Sequence, residues 1–337
     1  MPELFNPSDF HEAYLAAHPP RLAYRGQPLD PWRSELRAAL VEKLGWDDGA
    51  PRGPLNVREI EREAAPEFTR RTLLFDSEPG ATAIAHLLIP NGLSAPAPAF
   101  ICLQGHAGMD RSIELEPGHT SNFAAQAVRE GYVALALEQR SHGRRVETRQ
   151  EKRSQPMCQD AALRALLLGR TLAAERAWDA SRAIDLLEGL PEVRKDRICG
   201  MGFSGGGTVL LYTAALEPRL ALALCAGSFC SLVDSIFRIA HCADNYIPGL
   251  LTIADMPDFT ALIAPRPLVA TGSDDDWNFP VEGIRKANAQ AERIYAAAGA
   301  PERFAWAIDH GPHAFFPETA WPLVRRQLER LDSEAAA

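Results

Sequence analysis

Arg197-Ile198-Cys199-Gly200-Met201-Gly202-Phe203-Ser204-Gly205-Gly206-Gly207 is the stretch from which the rest of the chain is read. A short apolar run ends in Gly202-Phe203-Ser204-Gly205-Gly206, and a helical pattern follows from Thr208 to about Leu216. This is G-x-S-x-G set between a strand and a helix. A serine hydroxyl is a weak nucleophile, so it must stand clear of its neighbours and meet a base. A sharp strand-to-helix turn lifts it out but brings two backbones close together. Only very small residues then fit two before and two after it, here Gly202 and Gly206. The turn also places a helix N-terminus beneath the reacting atom, with the Gly205 N–H free for a developing oxyanion. A Gly-rich turn can also cradle a phosphate. This one lacks the G-x-x-x-x-G-K-[ST] spacing; Gly200-Met201-Gly202 starts like a dinucleotide G-x-G-x-x-G and Gly205 completes that spacing, so the turn needs the rest of the chain to decide its role.

Outward from this turn, short and wholly apolar runs alternate with helical ones. The runs are Phe100 to Leu103, Val133 to Leu137, Ile198 to Phe203, Ala221 to Ala226, Leu268 to Ala270 and Phe304 to Ile308. Continuous apolar strands alternating with helices predict an α/β fold, a mainly parallel sheet covered by helices on both faces. Function in such sheets sits at the carboxyl ends of the strands. Ahead of these runs, Arg71 to Phe75 and Thr82 to Ile89 flank Ser77-Glu78-Pro79-Gly80 and predict an antiparallel hairpin. Residues 1–65 read as an N-terminal helical arm, with a cap at Ser8-Asp9 and a second helix from Pro31 that stops at Gly45. Residues 66–334 read as the catalytic domain. Two long segments, about 141–172 and 228–264, interrupt the alternation and are expected to act as lids or substrate walls.

The 337 residues are 46% hydrophobic and 23% charged, ordinary for a globular enzyme, and the net charge is −9. An acidic surface argues against nucleic acid or an anionic membrane as partner. The six cysteines are scattered with no C-x-x-C, as expected of reduced core thiols. The opening residues have no basic segment followed by an apolar one, and no apolar run reaches membrane-spanning length. The expectation is a cytoplasmic protein with no cofactor, its oligomeric state left open, a homo-oligomer included.

A nucleophilic serine needs a base, and the base an orienting acid, in the chain order Ser, Asp or Glu, His. Asp309-His310-Gly311-Pro312-His313 follows the last apolar run, and His313 is the preferred base because its turn can swing a ring toward the serine. His310 follows the strand directly, where it could instead brace the loop, and its role is left open. The acid is expected after Leu268 to Thr271, in Gly272-Ser273-Asp274-Asp275-Asp276-Trp277-Asn278-Phe279-Pro280. Asp275 has the better spacing from Gly272 and Asp276 the better spacing from Pro280, so both stand as candidates. A second oxyanion donor is expected from Gln104-Gly105-His106-Ala107-Gly108, as the N–H of His106 or Ala107, alongside Gly205. His106 has no second ligand at metal spacing on its own element, so no metal is expected. Trp277, Tyr246 and His142 are candidates to line the substrate pocket.

With these residues in place the chain resembles the α/β-hydrolases of the dienelactone-hydrolase and acetyl-xylan-esterase type. The marks are Leu103 to His106, Glu138-Gln139-Arg140-Ser141-His142-Gly143-Arg144, Gly169-Arg170-Thr171, Trp178-Asp179, the turn at Ser204, Asp244 to Gly249, and Ala264-Pro265-Arg266-Pro267-Leu268. The resemblance implies the α/β-hydrolase fold with Ser204 as nucleophile, His313 as base and an Asp of the 274–276 run as acid. It also implies a small-molecule ester substrate, with acetyl on a sugar as the family-level expectation. Three features depart from the pattern: an acid loop one residue longer, Gln104 where a His is usual, and Ser where dienelactone hydrolases carry Cys. The same residue order also serves prolyl-oligopeptidase-like peptidases, but no repeat-built domain precedes the sheet. A non-catalytic binding protein that kept the fold is the remaining alternative.

Overall fold

The computed structural model describes residues 6–113, 122–146 and 158–335. Nine strands form one sheet: β1 (Arg58–Ala64), β2 (Phe68–Glu78), β3 (Ala81–Pro90), β4 (Ala97–Leu103), β5 (Val133–Leu137), β6 (Val193–Phe203), β7 (Ala223–Ala226), β8 (Leu268–Ser273) and β9 (Phe304–Asp309). Their spatial order is β1-β2-β3-β5-β4-β6-β7-β8-β9. The three N-terminal strands run antiparallel, and β3 joins β5 antiparallel. From β5 to β9 every pairing is parallel. The all-apolar runs are the central strands: all of β5 and β7 and the last seven residues of β6 are buried. A strand covered on both faces has no reason to alternate.

Helices α1 (Pro7–Ala17) and α2 (Leu29–Leu44) precede the sheet. Helices α3 (Phe123–Arg129), α4 (Gln159–Leu167), α5 (Leu172–Glu188), α6 (Gly205–Leu216), α7 (Val281–Ala297) and α8 (Pro317–Ala335) follow within it. One face of the sheet packs on α3 and α8 through Phe100, Phe123, Val128, Trp321 and Val324. The other packs on α2, α5, α6 and α7 through Leu36, Leu40, Ile184, Leu210 and Ile294.

The arm is docked. Helix α2 buries Trp32, Leu36, Leu40 and Leu44, and the left-handed Gly45 ends it where a Cβ would stand 2.3 Å from the Gly169 carbonyl. Backbone bonds Leu22 N–H to Ile253 O (2.7 Å) and Arg21 N–H to Thr252 O (3.2 Å) fix the arm to the second insertion. Two sequence expectations are corrected. The N-cap of α1 is Asn6, whose side chain accepts from Ser8 N–H at 3.0 Å, in place of Ser8-Asp9. Residues 58–64, read as part of a helix-and-loop arm, are the edge strand β1. All seven residues are exposed, and five of them are charged, so no apolar period marks the strand. Charges along an unpaired edge discourage pairing with another chain. Among the described residues no helix is long and apolar enough to cross a membrane.

Candidate active site

Strand β6 ends at Phe203 between β4 and β7, and Ser204 takes φ 54°, ψ −128°, a conformation a non-glycine residue adopts only under constraint. Its N–H donates to Ala226 O at 2.9 Å, and its carbonyl receives the Gly207 and Thr208 N–H groups at 2.8 and 3.1 Å. The flanking glycines are sterically required. A Cβ on Gly202 would lie 2.3 Å from Gly206 O, and one on Gly206 would lie 2.1 Å from Leu103 O. Gly105 passes so close that its Cβ would meet Ser204 Cβ at 3.0 Å.

Ser204 and His313 line one cleft of about 370 Å³ with Gln104, Gly105, His106, Ala107, Phe203, Gly205, His241, Cys242, Trp277 and Phe279. The His313 ring lies 4.9 Å from the Phe203 ring and 5.8 Å from that of Phe279, centroid to centroid. Its Nδ1 donates to Asp276 Oδ2 at 2.5 Å. The other oxygen, Oδ1, accepts the N–H groups of Asn278 (2.9 Å) and Phe279 (3.1 Å). The Asp276 carboxylate is fully buried. This separates the two acid candidates. Asp275 does not reach His313; its backbone N–H is bonded to Gly311 O at 3.1 Å and its side chain is exposed. Asp274 pairs instead with the exposed His310, at 3.0 Å, and with Gly311 N–H. Together with Ser273 Oγ–H to Pro312 O (2.8 Å), these contacts stitch the acid loop to the histidine loop.

The loop after β4 carries both N–H groups expected as the second oxyanion donor, those of His106 and Ala107. The Ala107 N–H is bonded to Gly105 O at 2.8 Å and so is already committed within the loop. Buried Glu138 holds the loop: Oε1 accepts from Gln104 Nε2 and Met109 N–H, both 2.9 Å, and Oε2 from Arg144 N–H at 3.2 Å. Burial raises the Glu138 pKa. Gln104 therefore fills its unusual position by an amide-to-carboxylate bond, while its own carbonyl accepts from Gln139 Nε2.

Of the three pocket candidates, Trp277 lines the cleft and is largely exposed. Tyr246 does not; it lines a separate apolar groove formed with α1 and the second insertion. His142 is wholly buried behind His106, with ring centroids 5.2 Å apart. Sequence reasoning missed what surrounds that ring. His106 Nε2 lies 3.3 Å from Asp244 Oδ2, Asp244 is paired with buried Arg176, and Cys158 Sγ lies 3.3 Å from His142 Nε2. Burial lowers the His106 pKa, but bonds to Asp244 and Cys242 outweigh it and raise it to about 9. Burial, with Arg176 and His106 nearby, pushes His142 down to about 2. The bond from Cys158, then that from His106, lowers the Cys242 pKa against the opposing effect of burial. Asp244 to Gly249 was visible as a motif, but its partners lie 68 or more residues away in sequence, so no local pattern announces them.

The model of the Abhydrolase family matches residues 16–324. A protein of Bacillus subtilis (strain 168) named "Putative hydrolase YtaP" is 29% identical over 282 residues, 80% of this chain and 90% of that one. Among solved structures, "a putative acetyl xylan esterase" from Bacteroides fragilis NCTC 9343 has a TM-score of 0.75 at 19% identity, covering 95% of this chain and 84% of the other. A glucuronoyl esterase from Solibacter usitatus has a TM-score of 0.66 at 17% identity, covering 92% and 96%. The structural likenesses speak for the fold, and the family match spans nearly the whole chain: this protein belongs to the Abhydrolase family and has its α/β-hydrolase fold.

Proposed function

We propose that this protein hydrolyses carboxylic esters through an acyl-enzyme on Ser204. The observation that carries the reading is the bond from His313 Nδ1 to the buried Asp276, made by a ring that lines the same cleft as Ser204. With Nδ1 committed as donor, Nε2 is the free base. It takes the Ser204 proton as Oγ attacks the acyl carbonyl, and Asp276 fixes the tautomer and stabilises the imidazolium that forms. The Gly205 and His106 N–H groups receive the oxyanion. His313 then protonates the departing alcohol, and water, activated by the same ring, releases the acid.

The cleft is small, and Trp277 and Phe279 stand at it, which suits a short acyl group on a ring-shaped alcohol such as a sugar. The names of the structural neighbours, acetyl xylan and glucuronoyl esterases, point to carbohydrate esters. The test is hydrolysis of p-nitrophenyl acetate, butyrate and octanoate, followed by acetylated xylo-oligosaccharide and methyl glucuronate. Acetate should be preferred over octanoate, and Ser204→Ala should reduce turnover at least about 10³-fold. Wild-type protein inert to every ester, or a Ser204→Ala variant as active as wild type, would refute the reading.

A further inference from the structure

Behind the oxyanion loop, four ligand-bearing side chains converge from four separate segments. His106 comes from the loop after β4 and His142 from the loop after β5. Cys158 comes from the residue before α4, and Asp244 from the second insertion. One ring nitrogen of each histidine, the sulfur and one carboxylate oxygen all lie within 4.8 Å of one another. Two of the separations, His106 Nε2 to Asp244 Oδ2 and Cys158 Sγ to His142 Nε2, are 3.3 Å. A tetrahedral ion with bonds of about 2.0–2.3 Å sets its ligand atoms roughly 3.3–3.8 Å apart. The group is therefore close to closing on an ion with small side-chain movements.

The surroundings favour the same reading. His142 is fully buried, its Nδ1 has no hydrogen-bond partner among the described residues, and its Nε2 faces only a thiol. That is a poor hydrogen-bonded arrangement for a buried imidazole and a good ligating one. Arg176, also fully buried, donates to Asp244 and, at 3.1 Å, to Cys158 Sγ. A donor that touches a carboxylate and a thiolate ligand without binding the ion itself orients them and balances their charge. Cys242, hydrogen-bonded to His106 and Cys158, stands beside the group as a further sulfur.

We propose that His106, His142, Cys158 and Asp244 form a structural zinc site that clips the oxyanion loop to the β5 loop, the start of α4 and the second insertion. Two imidazoles and a thiolate select zinc over magnesium or calcium, which prefer all-oxygen sites. Four protein ligands leave no open position, so the ion serves architecture and takes no part in the reaction. It fixes His106, whose backbone N–H the proposed mechanism uses as an oxyanion donor. The four ligands lie on four elements, so spacing along the chain could not reveal them. The expectation of no metal rested on that spacing alone.

The experiment is elemental analysis of full-length protein purified without chelator, followed by chelation and reloading with zinc or cobalt(II), alongside Cys158→Ser and His142→Asn. About one zinc per wild-type chain is expected, removable and restorable. The cobalt form should show the visible bands of a tetrahedral site and a thiolate-to-cobalt charge-transfer band. Both variants, shown folded by circular dichroism, should retain less than about a tenth of the metal. If they fail to fold, the wild-type cobalt spectrum decides. Folded wild type that takes up neither ion, cobalt bound without the thiolate band, equal uptake by the variants, or a Cys158–Cys242 disulfide in fresh protein would each overturn the proposal. No substrate enters these measurements, so their failure is separate from any failure of the esterase reading.

Discussion

Three adjacent aspartates at the end of β8 have three different environments, and one backbone register decides which of them meets His313. Asp274 points outward to His310, Asp275 is exposed, and Asp276 turns inward, where two backbone N–H groups anchor one oxygen and the imidazole takes the other. Asp276→Asn keeps the shape but offers the ring an amide, which permits the wrong tautomer. Its kcat should fall on the order of 10²–10⁴-fold with KM little changed. Asp274→Asn and Asp275→Asn should each stay within about threefold of wild type in the same p-nitrophenyl acetate assay. A variant of Asp275 as impaired as that of Asp276 would contradict the assignment. At this scale the sequence supplied the residue types and their order, but not the choice of acid. Spacing from Gly272 and from Pro280 cannot say which carboxylate the turn buries.

At the scale of elements, the turn at Ser204 is set by two backbones that nearly touch. The carbonyl of Leu103 at the end of β4 occupies the space a Gly206 side chain would need, and that of Gly206 the space of one on Gly202. Both obstacles are backbone, which cannot rotate away. Gly206→Ala should therefore cost about 3 kcal/mol or more, at the upper end of overpacking effects, and lower Tm in a thermal melt. A melt within a degree of wild type would show that β4 and α6 are less tightly set than described. The glycine pattern made this turn legible because its steric cause lies within a few residues. Edge strand β1 was illegible for the opposite reason: all seven of its residues are exposed, so burial leaves no period in the sequence. The first insertion was legible as a departure from alternation, but its residues 147–157 lie outside those described.

At the scale of the molecule, long-range ion pairs join elements that the sequence treats as unrelated. Buried Glu217, just past α6, accepts from Ser181 of α5 (2.6 Å) and from Arg219 (2.7 Å), and Arg52 reaches it from the arm at 3.3 Å. Burial would raise its pKa, but Arg219 and Ser181 outweigh that and hold it at about 2, against an ordinary 4.5. A carboxylate depressed on folding contributes stability above its unfolded pKa and loses it as the pH falls through the folded one. Glu217→Gln should thus be less stable than wild type at pH 7, by up to about 3 kcal/mol. The gap should narrow between about pH 4.5 and 2, as followed by urea unfolding at each pH. A gap independent of pH would remove Glu217 from the account. The ordering of Ser204, the aspartate run and His313 along the chain was readable because the fold fixes it. The group around His106 was not, since tertiary contact alone assembles it.

Whether His313 activates Ser204 is read out by reaction with a fluorophosphonate probe, followed by intact-mass and peptide analysis. A single adduct on Ser204 is expected, absent in Ser204→Ala and formed at least about 10²-fold more slowly in His313→Ala. No adduct on folded wild-type protein, or labelling of Ser204 at the same rate without His313, would contradict it.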